Sequence, residues 1–257
     1  MVGWSVTGWP TIPILKNRSI LLGRDFPAII FVVHPMTIAF GYFTKSDVLF
    51  SIWFFHLLAA IQAGIYNRIG FDIGEGDPWG SFHAAIGWQG FGGMIVFVGW
   101  GVWIARHHLL SVYRQAVHGT QEIDDSEEIM SYRTAFWLFV GCSVYIIIFC
   151  RHLGFMWGPL FAFWFGSAVL YLGLARVIVE SGLVFLRGPI TAQAFTWHLF
   201  GPGIINSQTA VAIGLTQTFH CDAKSMAMTV LAHVPRLAQA LERSDRKKVS
   251  PLALIGC

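Results

Sequence analysis

The sequence predicts an all-α fold, a polytopic bundle of transmembrane helices, and two observations carry this prediction. First, 55% of the 257 residues are hydrophobic and 12% are charged, against roughly a quarter charged in soluble domains. So few charges cannot cover the surface of a globular protein. Second, the 22 Phe, 11 Trp and 27 Gly match the aromatic belts and close helix contacts of membrane bundles. We therefore expect residues 1–257 to form a single transmembrane domain.

Five apolar stretches within residues 26–176 are long enough to cross a membrane, and they are the predicted spans. A spanning helix needs about 20 apolar residues, since each residue advances about 1.5 Å through a hydrocarbon core of about 30 Å. All five stretches lack Asp, Glu, Lys and Arg; they are residues 26–43, 48–67, 84–105, 134–150 and 154–175. Within the first, Pro35 predicts a kink because proline removes a helix hydrogen bond.

Small residues recur at helical spacing inside two of the predicted spans. Such residues let the backbone of a neighbouring segment approach closely. They are Ala59, Ala60, Ala63 and Gly64 in the second span and Gly87, Gly90, Gly92 and Gly93 in the third. We interpret both sets as packing surfaces for other helices.

Residues 188–221 carry no charge, yet Gly, Pro and amide side chains interrupt their apolar pattern. This predicts a broken or re-entrant segment, because irregular backbone survives at membrane depth only when it is buried in protein or lines a wet cavity. Four polar side chains of this segment are candidate binding residues: Gln193, His198, Asn206 and Gln208. The alternative is that they satisfy one another's hydrogen bonds between packed helices.

The end of the chain combines a basic helix with a new apolar stretch. Residues 224–248 place apolar side chains at helical spacing beside several Arg and Lys, which predicts an amphipathic helix at the membrane interface. Residues 251–257 begin another apolar run. We therefore expect the chain to be a portion of a longer protein, whose remaining helices or partner subunits complete the bundle.

Arg176 and Glu180, at the end of the fifth predicted span, are the main candidates for function. They are four residues apart, so they share a helix face and can pair. Charges within a bilayer are costly and commonly functional. One hypothesis makes Glu180 a proton- or substrate-binding carboxylate in a cavity with Arg176 as its partner; the other makes the pair an ordinary lock for a helix ending near the interface.

Several classes of function are disfavoured. The basic residues are scattered, which argues against nucleic-acid binding, and no dinucleotide-binding, Walker, nucleophile-elbow or HExxH motif is found, so we expect no enzyme. Cys142, Cys150, Cys221 and Cys257 show no metal-ligand spacing, and we expect neither a metal site nor a cofactor. A haem-binding redox subunit stays open as an alternative, because His34, His56 and His83 lie in or beside predicted spans.

Four short runs resemble a known group of proteins; they are residues 41–55, 103–109, 131–134 and 175–182. The resemblance extends from Pro27 to the C-terminus and is to large bacterial and archaeal multi-pass membrane proteins of unknown function. That group is similar to the oligopeptide transporter superfamily, and the resemblance implies that this chain corresponds to the C-terminal portion of such a longer protein. Members more often carry alanine where Ser181 stands, so no substrate is carried over. The resemblance implies proton-coupled transport with Glu180 as the coupling residue.

Taken together, these features predict a secondary transporter of small solutes or peptides, multi-pass in the cytoplasmic membrane. Its expected partners are the lipid bilayer, further helices and a small-molecule substrate. A membrane scaffold that transports nothing is the main alternative.

Overall fold

The protein is a helical bundle with one small two-stranded sheet. A computed structural model describes residues 18–21, 23–31, 35–74, 76–81, 83–119, 130–183, 186–218 and 231–232. In chain order the elements are β1 (Arg18–Ile20), β2 (Ile29–Phe31), α1 (Pro35–Phe43), α2 (Ser46–Ile69), α3 (Ala84–His118), α4 (Tyr132–His152), α5 (Trp157–Ser181), α6 (Ala192–Phe200) and α7 (Ser207–Thr216). The two strands pair antiparallel, with Ser19 opposite Ile30. The predicted all-α bundle is confirmed.

Four of these helices, α2 to α5, are long and apolar enough to cross a membrane. They contain 24, 35, 21 and 25 residues, against the about 20 that a bilayer requires. Local signals set their ends. At the start of α4 the Ser131 hydroxyl accepts the Thr134 N–H at 3.3 Å, and α5 ends at Gly182, which adopts a left-handed φ of 75° that glycine tolerates without strain.

The first predicted span, residues 26–43, is not a spanning helix, and this part of the prediction is wrong. Its first half contains β2, which pairs with β1, and its second half is the nine-residue α1. The pairing of residues 29–31 excludes one continuous helix over this range. Pro35 is the first described residue of α1; proline lacks the N–H that an interior helical position must donate, which the first turn of a helix does not need.

Helix α3 continues well past the predicted boundary at residue 105. It runs through Arg106 to His118, because charged side chains leave the bilayer without breaking helical backbone. Its 35 residues span about 52 Å, against about 30 Å of hydrocarbon. The far end packs on the start of α4: the rings of Tyr113 and Phe136 meet edge to face, with centroids 5.7 Å apart.

Helix α5 is the centre of the bundle. Nine of its residues are buried, against one in α4. Small residues on α5 meet its neighbours closely: a side-chain carbon at Gly173 would lie 2.6 Å from Met94 of α3, and one at Gly166 would lie 3.0 Å from Phe195 of α6. Much of the apolar surface of α2, α3 and α4 faces outward, as expected of surfaces in contact with lipid or further helices.

The predicted broken segment, residues 188–221, contains two short helices. The nine-residue α6 and the ten-residue α7 are separated by residues 201–206, where Gly201 has a left-handed φ of 70°. The second residue of α6, Gln193, donates to the last residue of α7, Thr216, at 3.2 Å. The two helices therefore run antiparallel and form a unit, the α6–α7 hairpin. The predicted basic helix, residues 224–248, lies outside the described residues, apart from Leu231 and Ala232.

Candidate binding cavity

A short non-helical segment, residues 186–191, connects α5 to α6 across the face of α3; we call it the strap. Its backbone bonds to the loop that precedes α3. Ser81 N–H donates to the Pro189 carbonyl at 2.9 Å, and Thr191 N–H donates to the Asp77 carboxylate at 2.6 Å. The other carboxylate oxygen of Asp77 accepts Trp79 N–H at 3.0 Å. One side chain thus ties the strap to a loop 114 positions earlier in the chain.

Glycines under the strap allow its close approach. A side-chain carbon at Gly80 would lie 2.6 Å from the Pro189 carbonyl oxygen, and one at Gly90 would lie 2.8 Å from the Pro189 side chain. Gly87 is in similar contact with Ile190. The small-residue surface predicted on the third span is therefore real at Gly87 and Gly90, although it receives extended backbone instead of a helix.

The strap lies halfway along α5. A side-chain carbon at Gly188 would lie 3.2 Å from Leu170, near the middle of that helix, and Ala192 at the start of α6 packs against Gly166. From there α6 descends toward the beginning of α5, where Phe200 meets Gly158. Irregular backbone halfway along a spanning helix needs polar partners, because the bilayer core offers none. The loop before α3 supplies them.

The α6–α7 hairpin is fixed to the start of α5 by Thr209, which is fully buried. Its hydroxyl accepts Met156 N–H at 3.0 Å and donates to the Gly154 carbonyl at 3.0 Å. Asn206 caps α7, since its side-chain oxygen accepts Thr209 N–H at 2.9 Å. These bonds satisfy backbone groups that a helix end leaves free.

A cavity of about 310 Å³ opens between the loop before α3, the start of α6 and the last turns of α7; this volume is near the lower end of small-molecule sites. Polar and aromatic side chains line it, among them Asp77, Gln193, Trp197, His198 and Gln217. The α6 dipole presents its positive end to the cavity and the α7 dipole its negative end, because Thr191 and Gln217 are the caps of those two ends.

The predicted site residues fall into separate places. Gln193 and His198 line this cavity together; Gln193 is buried and bonded to Thr216, whereas His198 is exposed and lies edge-on to Trp88, with ring centroids 6.0 Å apart. Gln208 lines a different, more open cavity near the start of α5. As described above, Asn206 is a helix cap.

Arg176 and Glu180 pair as predicted, with Nε and Oε1 2.8 Å apart. The pair lies on the outward face that α5 shares with α3. The guanidinium stacks over Phe97 at 4.8 Å from the ring centroid and touches Gly101. Both side chains are largely exposed, at 43% and 60%, and neither lines the cavity that contains Gln193.

Asp77 is the residue that the sequence analysis did not select for function. It occurs in a polar loop between two spans, and most carboxylates in such loops are simply exposed to water, so its position did not suggest a function. Its significance comes from the bond to Thr191 N–H, a tertiary contact without a sequence signal. The local sequence offers one weak indication that Asp77 is special: it is followed by proline shortly before an apolar helix, as Asp77-Pro78.

Of the histidines weighed as haem ligands, His83 caps α3, where its Nδ1 accepts Ala85 N–H at 3.2 Å. His56 lines a smaller cavity beside residues 27–30, and His34 lies outside the described residues. In the described part of the chain, no group of three His, Cys, Asp or Glu side chains could hold a metal ion.

Four membrane-length helices and a hairpin of two half-length helices define the class of this protein. It is an integral membrane protein of the polytopic helical type, with a polar cavity beside discontinuous helices. The chain belongs to the family of unknown function DUF6785, whose model matches residues 8–257. No curated protein and no solved structure shows significant similarity to the chain. The resemblance to the oligopeptide transporter superfamily stays a prediction.

Proposed function

We propose that this protein is a secondary transporter and that its solute binds in the cavity between the loop before α3 and the α6–α7 hairpin. The observation that carries the proposal is the position of the strap. It places polar, non-helical backbone and two helix ends inside the bundle, beside the middle of α5 and the first turns of α3. Discontinuous helices within a membrane bundle are the architecture with which transporters bind solutes and coupling ions.

The energetics favour a functional interpretation of this arrangement. Each backbone group that lacks a hydrogen-bond partner in hydrocarbon costs several kcal/mol. A continuous helix therefore crosses a bilayer at a lower free-energy cost than an interrupted one. This chain instead interrupts its helices at the strap and again at residues 201–206. The dedicated bonds of Asp77 and Thr209 offset part of that cost. A purely structural bundle gains nothing from such an arrangement.

The proposed roles of Glu180 and Arg176 are those that the sequence predicts. Glu180 is the proposed proton-coupling carboxylate and Arg176 its partner, on a face that further helices of the assembly would cover. The solute is small, because the cavity is about 310 Å³; single amino acids, amines and short peptides are within its range. The protein acts in the cytoplasmic membrane, and its work is movement of a solute without covalent catalysis.

The test is a flux measurement in vesicles that enclose a pH-sensitive dye. The purified full chain is reconstituted, and a panel of amino acids, amines and di- and tripeptides is added outside. We expect at least one solute to drive proton entry. Gly214 lines the cavity, and among the described residues a side-chain carbon there meets nothing within 4 Å. Gly214→Phe should therefore fill the cavity without disturbing the fold, and it should abolish the response.

Gly93→Phe is the matched control. Gly93 is also helical, and no other described residue would lie within 4 Å of a side-chain carbon there. Because Gly93 does not line the cavity, this variant should transport like the wild type. Equal loss of transport in the two variants would contradict a role for the cavity. If no solute of the panel drives proton entry, the proposal of proton-coupled transport is contradicted.

A further inference from the structure

We infer that the cavity selects solutes that carry a positively charged amino group, with Asp77 as their counter-charge. The inference rests on the proposed function in one respect, namely that the cavity is a solute site. It goes beyond that proposal because it names the chemical group that the site recognises.

The first argument is the orientation of Asp77. Each of its carboxylate oxygens accepts one backbone N–H, from Trp79 and from Thr191. An ionised carboxylate has about four acceptor positions, so each oxygen keeps one position for another donor. The two backbone bonds are charge-assisted and hold the group in place. A donor entering the cavity therefore meets a carboxylate that is already oriented.

The second argument is the charge balance of the lining. Among the described residues that line the cavity, Asp77 is the one acidic side chain, and no lysine or arginine is present. The strap's own basic residue, Arg187, is not part of the lining. The two helix ends contribute about +0.5 and −0.5 of a charge, from α6 and α7 respectively, and these cancel. Asp77 is therefore the one formal charge among the described lining residues, and a cationic solute would balance it.

The third argument concerns the rest of the solute. Trp197, six residues after Thr191, lies about 9 Å further along α6 and lines the same cavity. Its indole face attracts cations and covers apolar groups. The amides of Gln193 and Gln217 offer both donors and acceptors. The lining thus suits a small molecule with an ammonium group at one end and a carbonyl or hydroxyl beyond it.

The experiment compares three small probes that share one amide: glycinamide, which is cationic, glycolamide, which is neutral and matched to it in size, and malonamate, which is anionic and somewhat larger. Binding to the purified full chain in nanodiscs is measured by saturation-transfer NMR. We expect saturable binding of glycinamide and binding about tenfold weaker for the other two, because they cannot form a charge-assisted hydrogen bond with the partly buried Asp77 carboxylate. Equal binding of glycinamide and glycolamide, or no binding of any probe, would overturn the inference.

Two variants make the test specific. Asp77→Asn keeps an oxygen to accept Thr191 N–H but removes the charge, so it should lose the preference for glycinamide. Asp72→Asn is the control: this carboxylate belongs to the same loop and accepts Gly74 N–H at 3.0 Å, yet it does not line the cavity. Because binding requires no flux, glycinamide selectivity without solute-driven proton entry would refute the transport proposal and leave this inference standing.

Discussion

The bonds of Thr209 give the sharpest test of how the α6–α7 hairpin is held. Thr209→Val removes the hydroxyl and keeps the volume of the side chain. In the fully buried site the change leaves Met156 N–H without its acceptor and the Gly154 carbonyl without its donor. The hairpin would then be joined to the start of α5 by apolar contacts alone.

The magnitude follows from the number of bonds lost. Hydrogen bonds between membrane helices contribute about 0.6 kcal/mol on average and about 1.7 kcal/mol at most, and an unsatisfied buried group costs about 1–3 kcal/mol. For the two bonds of Thr209 we expect the free energy of unfolding to fall by about 1–3 kcal/mol. Reversible unfolding in mixed micelles of increasing SDS content measures this difference.

Thr209→Ser is the informative control because it keeps the hydrogen bonds and loses packing, whereas Thr209→Val loses the hydrogen bonds and keeps the packing. Serine keeps the hydroxyl and deletes one methyl group, at a cost of about 0.8 kcal/mol for a carbon of that size. If the hydrogen bonds dominate, the valine variant is the less stable of the two; if packing dominates, the serine variant is. A serine variant that unfolds at lower SDS than the valine variant would refute our account of the hairpin.

Three further outcomes are expected. Gly90→Leu should displace the strap, since its Cβ would lie 2.8 Å from Pro189, and should lose cavity binding in the nanodisc assay. Gly92→Leu should bind like the wild type, because no described residue lies within 4 Å of a side-chain carbon there. Equal binding by the two variants would contradict the role of the strap in forming the cavity. Glu180→Gln should abolish proton entry in the vesicle assay but change the unfolding free energy by less than about 1 kcal/mol, since the pair is largely exposed; undiminished proton entry would remove Glu180 from the mechanism. Arg151→Met removes a guanidinium that stacks on the Trp157 indole at 4.7 Å and donates to the Phe155 carbonyl. It should lower that free energy by about 1–3 kcal/mol, and no change would count against both contacts.

The spanning helices could be predicted from sequence because their signal is local. A run of about 20 uncharged residues identifies α2 to α5, and only their ends were misplaced. Gly154 shows why: it fits the apolar pattern of the predicted fifth span, but its φ of 101° is incompatible with a helix, which therefore begins at Trp157. Composition alone does not reveal such a turn.

The first predicted span failed because a short apolar run is ambiguous. Residues 29–31 continue the apolar pattern of the predicted helix, yet they pair with residues 18–20. Periodicity alone does not separate a short apolar strand from part of a buried helix. The proline at position 35 was noticed, but its two consequences, a kink or a helix start, cannot be separated without knowing what the preceding residues contact.

The candidate site was predicted in part. Gln193 and His198 do share a cavity, because both lie in the segment whose broken pattern marked it. Asp77 was missed because the contact with Thr191 joins residues 114 positions apart. Conversely, the composition of the broken segment did not distinguish Asn206, whose side chain caps a helix, from residues that line the cavity.

The length of α3 has a practical consequence for observing transport. Its first turns contact the strap, whereas its last turns lie farther from the strap than the about 30 Å thickness of a hydrocarbon core. A small rotation of the helix about the proposed solute site would therefore move its far end by a large distance. A tilt of about 10° would sweep the distant end of a 52 Å rod through about 9 Å. A spectroscopic label at His118 would thus magnify rearrangements at the cavity that are too small to resolve at their origin.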